Sequence, residues 1–394
     1  MAPWLTIVTA LPALFREPSW TFDTVHILPA LAKRPEYTTD ASQARVHVLP
    51  LRSPFDPAAG AAGIDVFKWL QANYAPWQDP RNVFVQFQFC DHVTDCKWAT
   101  LPYSPYPAEF SPASPTRRIV LAQWNGMADG YDAGETSFCT SCVQRGKDIV
   151  LPTARNACGP YCGGTKETLR LNAVWREGSP TETLSAVRYV ETWGKRPYEM
   201  FYAGQVTPGQ TNPTADPKHD LSGRGMFYRM YADRANWEVH QTYDWVNNKP
   251  RPLAAPMLEF MRNSTFCFSP PGHAGGDQDR YLPALLTGCI PVMLTSVYEG
   301  GRKIPIVQPL EDIIPWGKIA VLLDADDMTR LPEVLSKVNV PHRRYLVHKY
   351  WRMMLWTSAY EDSDLGESGK GDAVEALIRV LEARAKQSKA LYDV

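Results

Sequence analysis

The sequence predicts an α/β protein built as two Rossmann-like domains whose parallel sheets face each other across a cleft. Three observations predict it. Short apolar runs bounded by turn residues alternate with segments of helical period, the pattern of a largely parallel sheet covered on both faces. That alternation occurs twice, with a break near residues 191–198. A length of 394 residues, 44% of them apolar, is enough for two or three domains with substantial cores.

In the first half, strands are expected at residues 5–9, 45–49, 83–87, 119–122 and 149–151, with helix-period segments at 22–31 and 64–72 between them. Residues 101–116, rich in Pro, Ser and Tyr, read as a surface loop. Residues 163–191 read as an insertion that folds back around Glu177-Gly178-Ser179-Pro180. In the second half the expected order is strand 200–203, helix 225–236, helix 253–262, strand 265–268, helix 279–286, strand 290–294, strand 320–323 and helix 329–336. Two amphipathic helices, 341–356 and 372–390, close the chain, and one of them is a candidate to cross back onto the first domain. The expected domains are therefore 1–193, 194–360 and a helical tail, 361–394. No internal repeat or low-complexity tract interrupts the pattern.

Formal charge is −1, from 41 Lys and Arg against 42 Asp and Glu, so the chain has no field to attract nucleic acid or an anionic membrane surface. Any phosphate recognition must be local. The 34 prolines, 13 tryptophans and 18 tyrosines fit ordered loops and aromatic surfaces of the kind on which sugars stack. The opening apolar run, residues 3–15, is shorter than the roughly 20 residues that span a bilayer, is not preceded by a basic residue and is broken by Pro12. It reads as a strand and not as a membrane anchor.

Residues 263–316 carry the most chemistry. A buried strand, 266–268, hands over through Pro270-Pro271-Gly272-His273-Ala274-Gly275-Gly276 to a helix beginning near Asp279, and a second buried strand follows at 290–294. Backbone N–H groups of such a turn and the start of the helix can face an anion, and a diphosphate fits there. Arg280 adds a guanidinium. The candidate ligand-binding residues are Gly204, Pro270, Gly272, His273, Gly275, Gly276, Asp277, Asp279, Arg280 and Tyr281. The plainer alternative is that the glycines only turn the chain, that Arg280 pairs with Asp277 or Glu299, and that His273 faces solvent.

In order and spacing, Phe266-Cys267-Phe268-Ser269-Pro270-Pro271-Gly272, then Arg280, then Gly288-Cys289-Ile290-Pro291-Val292, then Pro309-Leu310-Glu311-Asp312-Ile313-Ile314-Pro315-Trp316 resemble the donor half of the exostosin-like family of inverting glycosyltransferases. That family carries FCL-x-P-x-G, an Arg-led helix, GC[IV]PV and PF-x-D-x-x-x-W. Upstream, residues 10–15, 37–50, 147–152 (KDIVLP, like KDVVLPP) and 196–204 (RPYEMFYAG, like R-x-x-L-x-FFAG) extend the likeness over nearly the whole chain, with its specificity concentrated in the last half.

The resemblance implies a GT-B enzyme that moves a sugar from a nucleotide donor, UDP-linked, to a glycan hydroxyl with inversion and without metal or other cofactor. It implies a glycan or glycoprotein acceptor, no nucleic acid, a hetero- or homodimer with another transferase, and residence in the Golgi or secretory-pathway lumen, the membrane anchor being absent from this chain. One position departs from the family. Three residues after the helix-leading Arg, family members carry an acid that resembles the holder of the nucleotide ribose; here it is Pro283. The alternative function is therefore a non-catalytic GT-B scaffold that binds glycan or partners a transferase.

The general base is expected past the carboxyl ends of first-domain strands, at Asp91 and His92 after strand 83–89, with Asn125 and Asp129 after 119–123 as further choices. The family's G-x-D-H turn is replaced by Asp79-Pro80-Arg81-Asn82. Asp324-Ala325-Asp326-Asp327 has the look of an acidic metal site, but it stands between a strand and a helix, where helix capping is the preferred reading. Cys267 and Cys289 lie in adjacent strands and are either disulfide-bonded or packing residues. Cys139, Cys142, Cys158 and Cys162 have near zinc-ribbon spacing, which admits a zinc-stabilised adhesion module as a third reading, although an oxidising lumen favours disulfides. Cys90 and Cys96 can close a small loop. Asn263-Ser264-Thr265 is the usable N-glycosylation sequon, and it abuts a buried strand.

Overall fold

The structure is a computed structural model, and it describes residues 3–8, 27–49, 69–88, 119–123, 143, 145–152, 196–206, 223–244, 246–255, 257–271, 280–299, 302–356 and 371–392. These belong to two compact units, one drawn from Met1–Pro152 and Trp356–Val394, the other from Thr153–Leu355. Both are α/β with parallel five-stranded sheets, the pair of units expected of the GT-B class.

In the first unit β1 (Leu5–Ile7), β2 (Val46–Leu49), β3 (Val83–Gln88), β4 (Ile119–Gln123) and β5 (Ile149–Val150) pair in chain order, all parallel. Helix α1 (Leu28–Ala32) packs on β1. Leu5, Val46, Val48, Val83, Phe84 and Val85 are fully buried on alternating faces, which requires cover on both sides of the sheet. One face is aromatic. His47 stacks on Phe84 with centroids 5.0 Å apart, and its Nδ1 lies 2.9 Å from the Tyr74 hydroxyl. Trp77 tilts onto Phe84 at 4.4 Å. Burial pushes the Tyr74 hydroxyl up to about 12.

The turn Asp79-Pro80-Arg81-Asn82 closes this crossover. Asp79 accepts from Arg81 Nε and Nη2 at 2.9 Å each and from Arg45 Nη1 at 3.0 Å. The Arg81 hydrogen bonds, outweighing burial, hold the Asp79 carboxyl at about 2. The turn leads into the amino end of β3, the edge of the sheet away from strand carboxyl ends, so its role is structural.

The last helix, Ala373–Tyr392, is part of the first unit. Asp372 Oδ1 accepts from the Glu375 amide at 3.0 Å while the Glu375 carboxylate accepts from Gly371 N at 2.7 Å, a reciprocal cap that starts the helix. Its apolar side, with Val374, Leu377, Val380 and Leu381 buried, packs on β2 and β3. Arg384 Nε donates to the Lys147 carbonyl at 2.7 Å and Trp356 Nε1 to that of Pro152 at 3.0 Å. The KDIVLP segment thus receives the returning chain, and its Lys147 and Asp148 form a buried ion pair at 3.1 Å.

The second unit contains β6 (Tyr198–Gly204), α2 (Arg224–Tyr231), β7 (Trp237–Gln241), α3 (Met257–Asn263), β10 (Ser264–Ser269), α4 (Tyr281–Leu286), β11 (Ile290–Leu294), α5 (Trp316–Ile319), β14 (Val321–Leu323), α6 (Leu331–Ser336) and α7 (Val340–Tyr350). Two antiparallel hairpins, β8 (Tyr243–Asp244) with β9 (Lys249–Pro250) and β12 (Ser296–Glu299) with β13 (Arg302–Pro305), stand outside the main sheet. The sheet order is β14-β11-β10-β6-β7, so the strand order reverses between β6 and β10. Alternate residues feed two cores. Met200, Tyr202, Phe266 and Phe268 face Phe227, Tyr231 and Trp237, whereas Phe201, Ala203 and Cys267 face Met257, Phe260 and Ala284. The helix expected over residues 225–236 is shorter than its periodicity implies. It ends at Tyr231, Asn236 takes a left-handed turn at φ 64°, and Trp237 opens an edge strand with its Nε1 donating to Glu199 at 2.7 Å.

Candidate functional site

In open α/β sheets the crevice for ligands opens outside the strand carboxyl ends, where the order reverses, because successive crossovers there leave on opposite faces. In the second unit that place is set by the last residues of β6 and β10, Gly204 and Ser269. Among the described residues the first unit, paired in chain order, has no such reversal.

Gly204 has no room for a side chain. A Cβ there would lie 2.8 Å from Tyr202 Cζ and closer still to its hydroxyl. The Tyr202 ring is fully buried, edge-on to Phe227 at 5.4 Å and to Phe268 at 5.6 Å, so it cannot yield. Over that ring stands Arg280, its Cζ 5.6 Å from the centroid. One buried tyrosine therefore joins two of the expected site residues, Gly204 and Arg280, at the switch point. Sequence reasoning missed Tyr202; the signal was the aromatic two residues before the strand-ending glycine. Replacing Gly204 by alanine is expected to destabilise the fold by about 1–3 kcal/mol and to displace Tyr202 from under Arg280. Urea unfolding measures the first effect, and near-UV circular dichroism of the tyrosine environment the second.

Arg280 is the N-cap of α4, which starts at Tyr281. Pro283 then falls in the first turn, where its missing N–H is one of four that no helix satisfies internally, and it is tolerated for that reason. Its ring is buried, and its carbonyl accepts from Thr287 N at 3.0 Å and Thr287 Oγ1 at 2.8 Å. Tyr281 is 1% exposed and sits edge-to-face on Trp316 at 5.2 Å, so its side chain belongs to the core beneath the site. Trp316 Nε1 donates to the Pro309 carbonyl at 2.6 Å, which accounts for the Pro309 to Trp316 motif as a packing device. Pro270 and Pro271 are buried at the end of β10. A second guanidinium, which the sequence did not single out, reaches this edge. Arg224, the first residue of α2, donates Nε and Nη2 to the Pro271 carbonyl at 3.1 and 2.9 Å.

Gly272, His273, Gly275, Gly276, Asp277 and Asp279 lie outside the described residues, as do Asp91, His92, Asn125 and Asp129. So do Cys90, Cys96, Cys139, Cys142, Cys158 and Cys162, the 101–116 loop and the 163–191 insertion. Asn263 is the last residue of α3 and half-buried, and Ser264 beside it is fully buried.

Beneath the site, Cys267 and Cys289 are joined by a disulfide, with Cα atoms 5.8 Å apart. The acidic run is a cap. Asp324 accepts from Asp326 N and Ser296 Oγ at 3.0 Å each, and Lys303 binds both Asp324 and Asp326, at 2.5 and 2.7 Å. Burial raises the Asp324 carboxyl, but Lys303, the Asp326 amide and Ser296 outweigh it and hold it below its ordinary value. Among the described residues no group of three or more His, Cys, Asp or Glu is placed to hold a metal, and no helix is long and apolar enough to cross a membrane.

Residues 170–338 match the family model described as the Exostosin GT47 domain. A "probable glucuronosyltransferase" of Oryza sativa subsp. japonica is 32% identical over 178 residues, 38% of this chain and 38% of its own. A "probable glycosyltransferase" of Arabidopsis thaliana is 33% identical over 193 residues, 49% of this chain and 30% of its own. A "probable beta-1,4-xylosyltransferase" of Arabidopsis thaliana is 28% identical over 181 residues, 39% of this chain and 40% of its own. The matches thus span at most about two fifths of the length of these relatives. Among solved structures, an alpha,alpha-trehalose 6-phosphate synthase from Burkholderia multivorans aligns over 94% of this chain and 81% of its own at 9% identity and TM-score 0.31, too low a score to add to the fold described above.

Proposed function

On the premise that this chain is exostosin-like over residues 170–338, we propose that it is an inverting, metal-independent glycosyltransferase that moves a sugar from a UDP-linked donor to a glycan hydroxyl. The observation that carries the proposal is a coincidence. The matched segment contains the sheet reversal, and at that reversal Gly204 and Arg280 converge on Tyr202. In the reaction, an acceptor oxygen attacks the anomeric carbon, the bond from that carbon to the diphosphate breaks, and the acceptor proton passes to a base. Asp91 and His92 are the proposed bases. Negative charge grows on the leaving phosphate, and a fixed guanidinium with backbone N–H groups after β10 stabilises it. Gly272, His273, Gly275, Gly276, Asp277 and Asp279 are proposed to complete the donor site.

The commitment of Asp324 and Asp326 to helix capping and to Lys303 supports a site that works without metal. The Cys267–Cys289 disulfide supports residence in an oxidising compartment, the Golgi or secretory-pathway lumen. A glycan or glycoprotein acceptor and a dimer with another transferase complete the proposal. The observation favouring a non-catalytic scaffold is Pro283, buried where family members carry an acid.

Calorimetric titration of UDP into the full chain, with and without EDTA, is expected to show one binding site in both conditions. No heat at millimolar UDP would remove the proposal. A chain that binds UDP and oligosaccharide but leaves every UDP-sugar of a panel intact would be the scaffold.

A further inference from the structure

We propose that Arg224 is a positioning residue that holds the backbone leaving β10 in the place from which it meets a nucleoside diphosphate; this rests on the donor site proposed above. Two donor nitrogens of one planar guanidinium, Nε at 3.1 Å and Nη2 at 2.9 Å, converge on the Pro271 carbonyl. Two donors in one plane constrain the direction of that carbonyl as well as its distance. Pro270 and Pro271 have no N–H, so the chain leaving the sheet can be held there through its carbonyls and not through ladder donors.

The geometry around Arg224 is rigid on both sides of this bond. Phe227, one turn along α2, stacks on Phe268 of β10 with centroids 4.1 Å apart and planes 12° apart, so helix and strand are fastened directly to each other. Gly223 precedes Arg224 in the left-handed region at φ 67°, and a Cβ there would lie 2.9 Å from Leu294. Only glycine lets the chain turn this close to the sheet and deliver Arg224 at the first helical position. Arg224 therefore spans two elements whose separation is already set and fixes the residue that immediately precedes Gly272. Arg280 arrives at the same edge by a different route, on the Tyr202 ring.

The test compares wild type, Arg224→Lys, Arg224→Ala and, as a purely structural comparator, Arg196→Ala, all in the full chain. UDP affinity is read by calorimetry, stability by thermal unfolding, and backbone protection by hydrogen exchange of peptides covering 267–286 and 224–231. Arg224→Ala is expected to weaken UDP binding about tenfold or more and to raise exchange in 267–286 while α2 is unchanged. Arg224→Lys should recover part of the affinity. Arg196→Ala should lower the unfolding midpoint yet leave the affinity of the folded protein within about twofold. Unchanged exchange in 267–286 for Arg224→Ala overturns the assignment, whatever UDP does. Wild type that fails to bind UDP removes only the functional reading, because the exchange comparison still decides whether Arg224 holds this backbone.

Discussion

On the proposed function, Arg280→Ala is expected to lower kcat/KM for the UDP-sugar by about 10²–10³, the usual consequence of removing one fixed donor to a developing anion. Folding should hardly change. The side chain is half-exposed at a helix N-cap and stands over the face of Tyr202, a contact contributing about 1 kcal/mol at most at such a site. Kinetics and thermal unfolding of the same preparation separate the two effects. Arg280→Lys should fall between, since an ammonium keeps the charge but loses the planar fork. An Arg280→Ala protein with wild-type kcat/KM would show that charge on the leaving group is met elsewhere, and the central assignment would be wrong.

Arg196→Ala is expected to act in the opposite sense, costing about 3–5 kcal/mol of stability with no direct effect on chemistry. Arg196 Nη1 donates to the carbonyls of Met261 at 3.0 Å and Ser264 at 2.6 Å, and Nη2 to that of Thr287 at 2.8 Å. These carbonyls sit in the last turn of α3, at the first residue of β10 and just after α4, so one side chain joins three elements and meets the negative ends of two helices. Alanine leaves partly buried carbonyls without their donor. A fall of the unfolding midpoint by roughly 10 °C is the corresponding thermal signature. A change under about 1 kcal/mol in urea unfolding would mean that water replaces the guanidinium at no cost, and the clamp would have to be abandoned.

The leading arginine of the RPYEMFYAG segment was legible as a motif, but its purpose was not. Nothing local distinguishes an arginine that binds ligand from one that collects carbonyls 65, 68 and 91 residues away. The same holds for Trp316, whose spacing marked it and whose Nε1 turns out to fasten Pro309. The acidic run at Asp324 is the contrary case. Its position between strand and helix pointed to capping, and the capping bond is a contact two residues long, which local spacing does encode. Asn236 shows the limit of periodicity. Residues 225–236 keep a helical rhythm past the true end at Tyr231, because the left-handed turn that stops the helix leaves no apolar signature.

That error had a consequence beyond one boundary. The edge strand β7, just past the overextended helix and absent from the expected elements, is what makes the sheet order reverse beside β6, and without it Gly204 would not mark a switch point. The alternation of apolar runs determined by itself that the chain is α/β, that it contains two parallel sheets, and which strands are buried, since burial on both faces is written into each run of Val, Ile, Leu and Phe. Which strand lies beside which, and so where Gly204 and Arg280 both meet Tyr202 and where Arg224 meets Pro271, was decided by tertiary structure alone. Strand order and guanidinium contacts arise between residues tens of positions apart, set by the packing of helices on sheets, and no periodicity within a segment can carry that information.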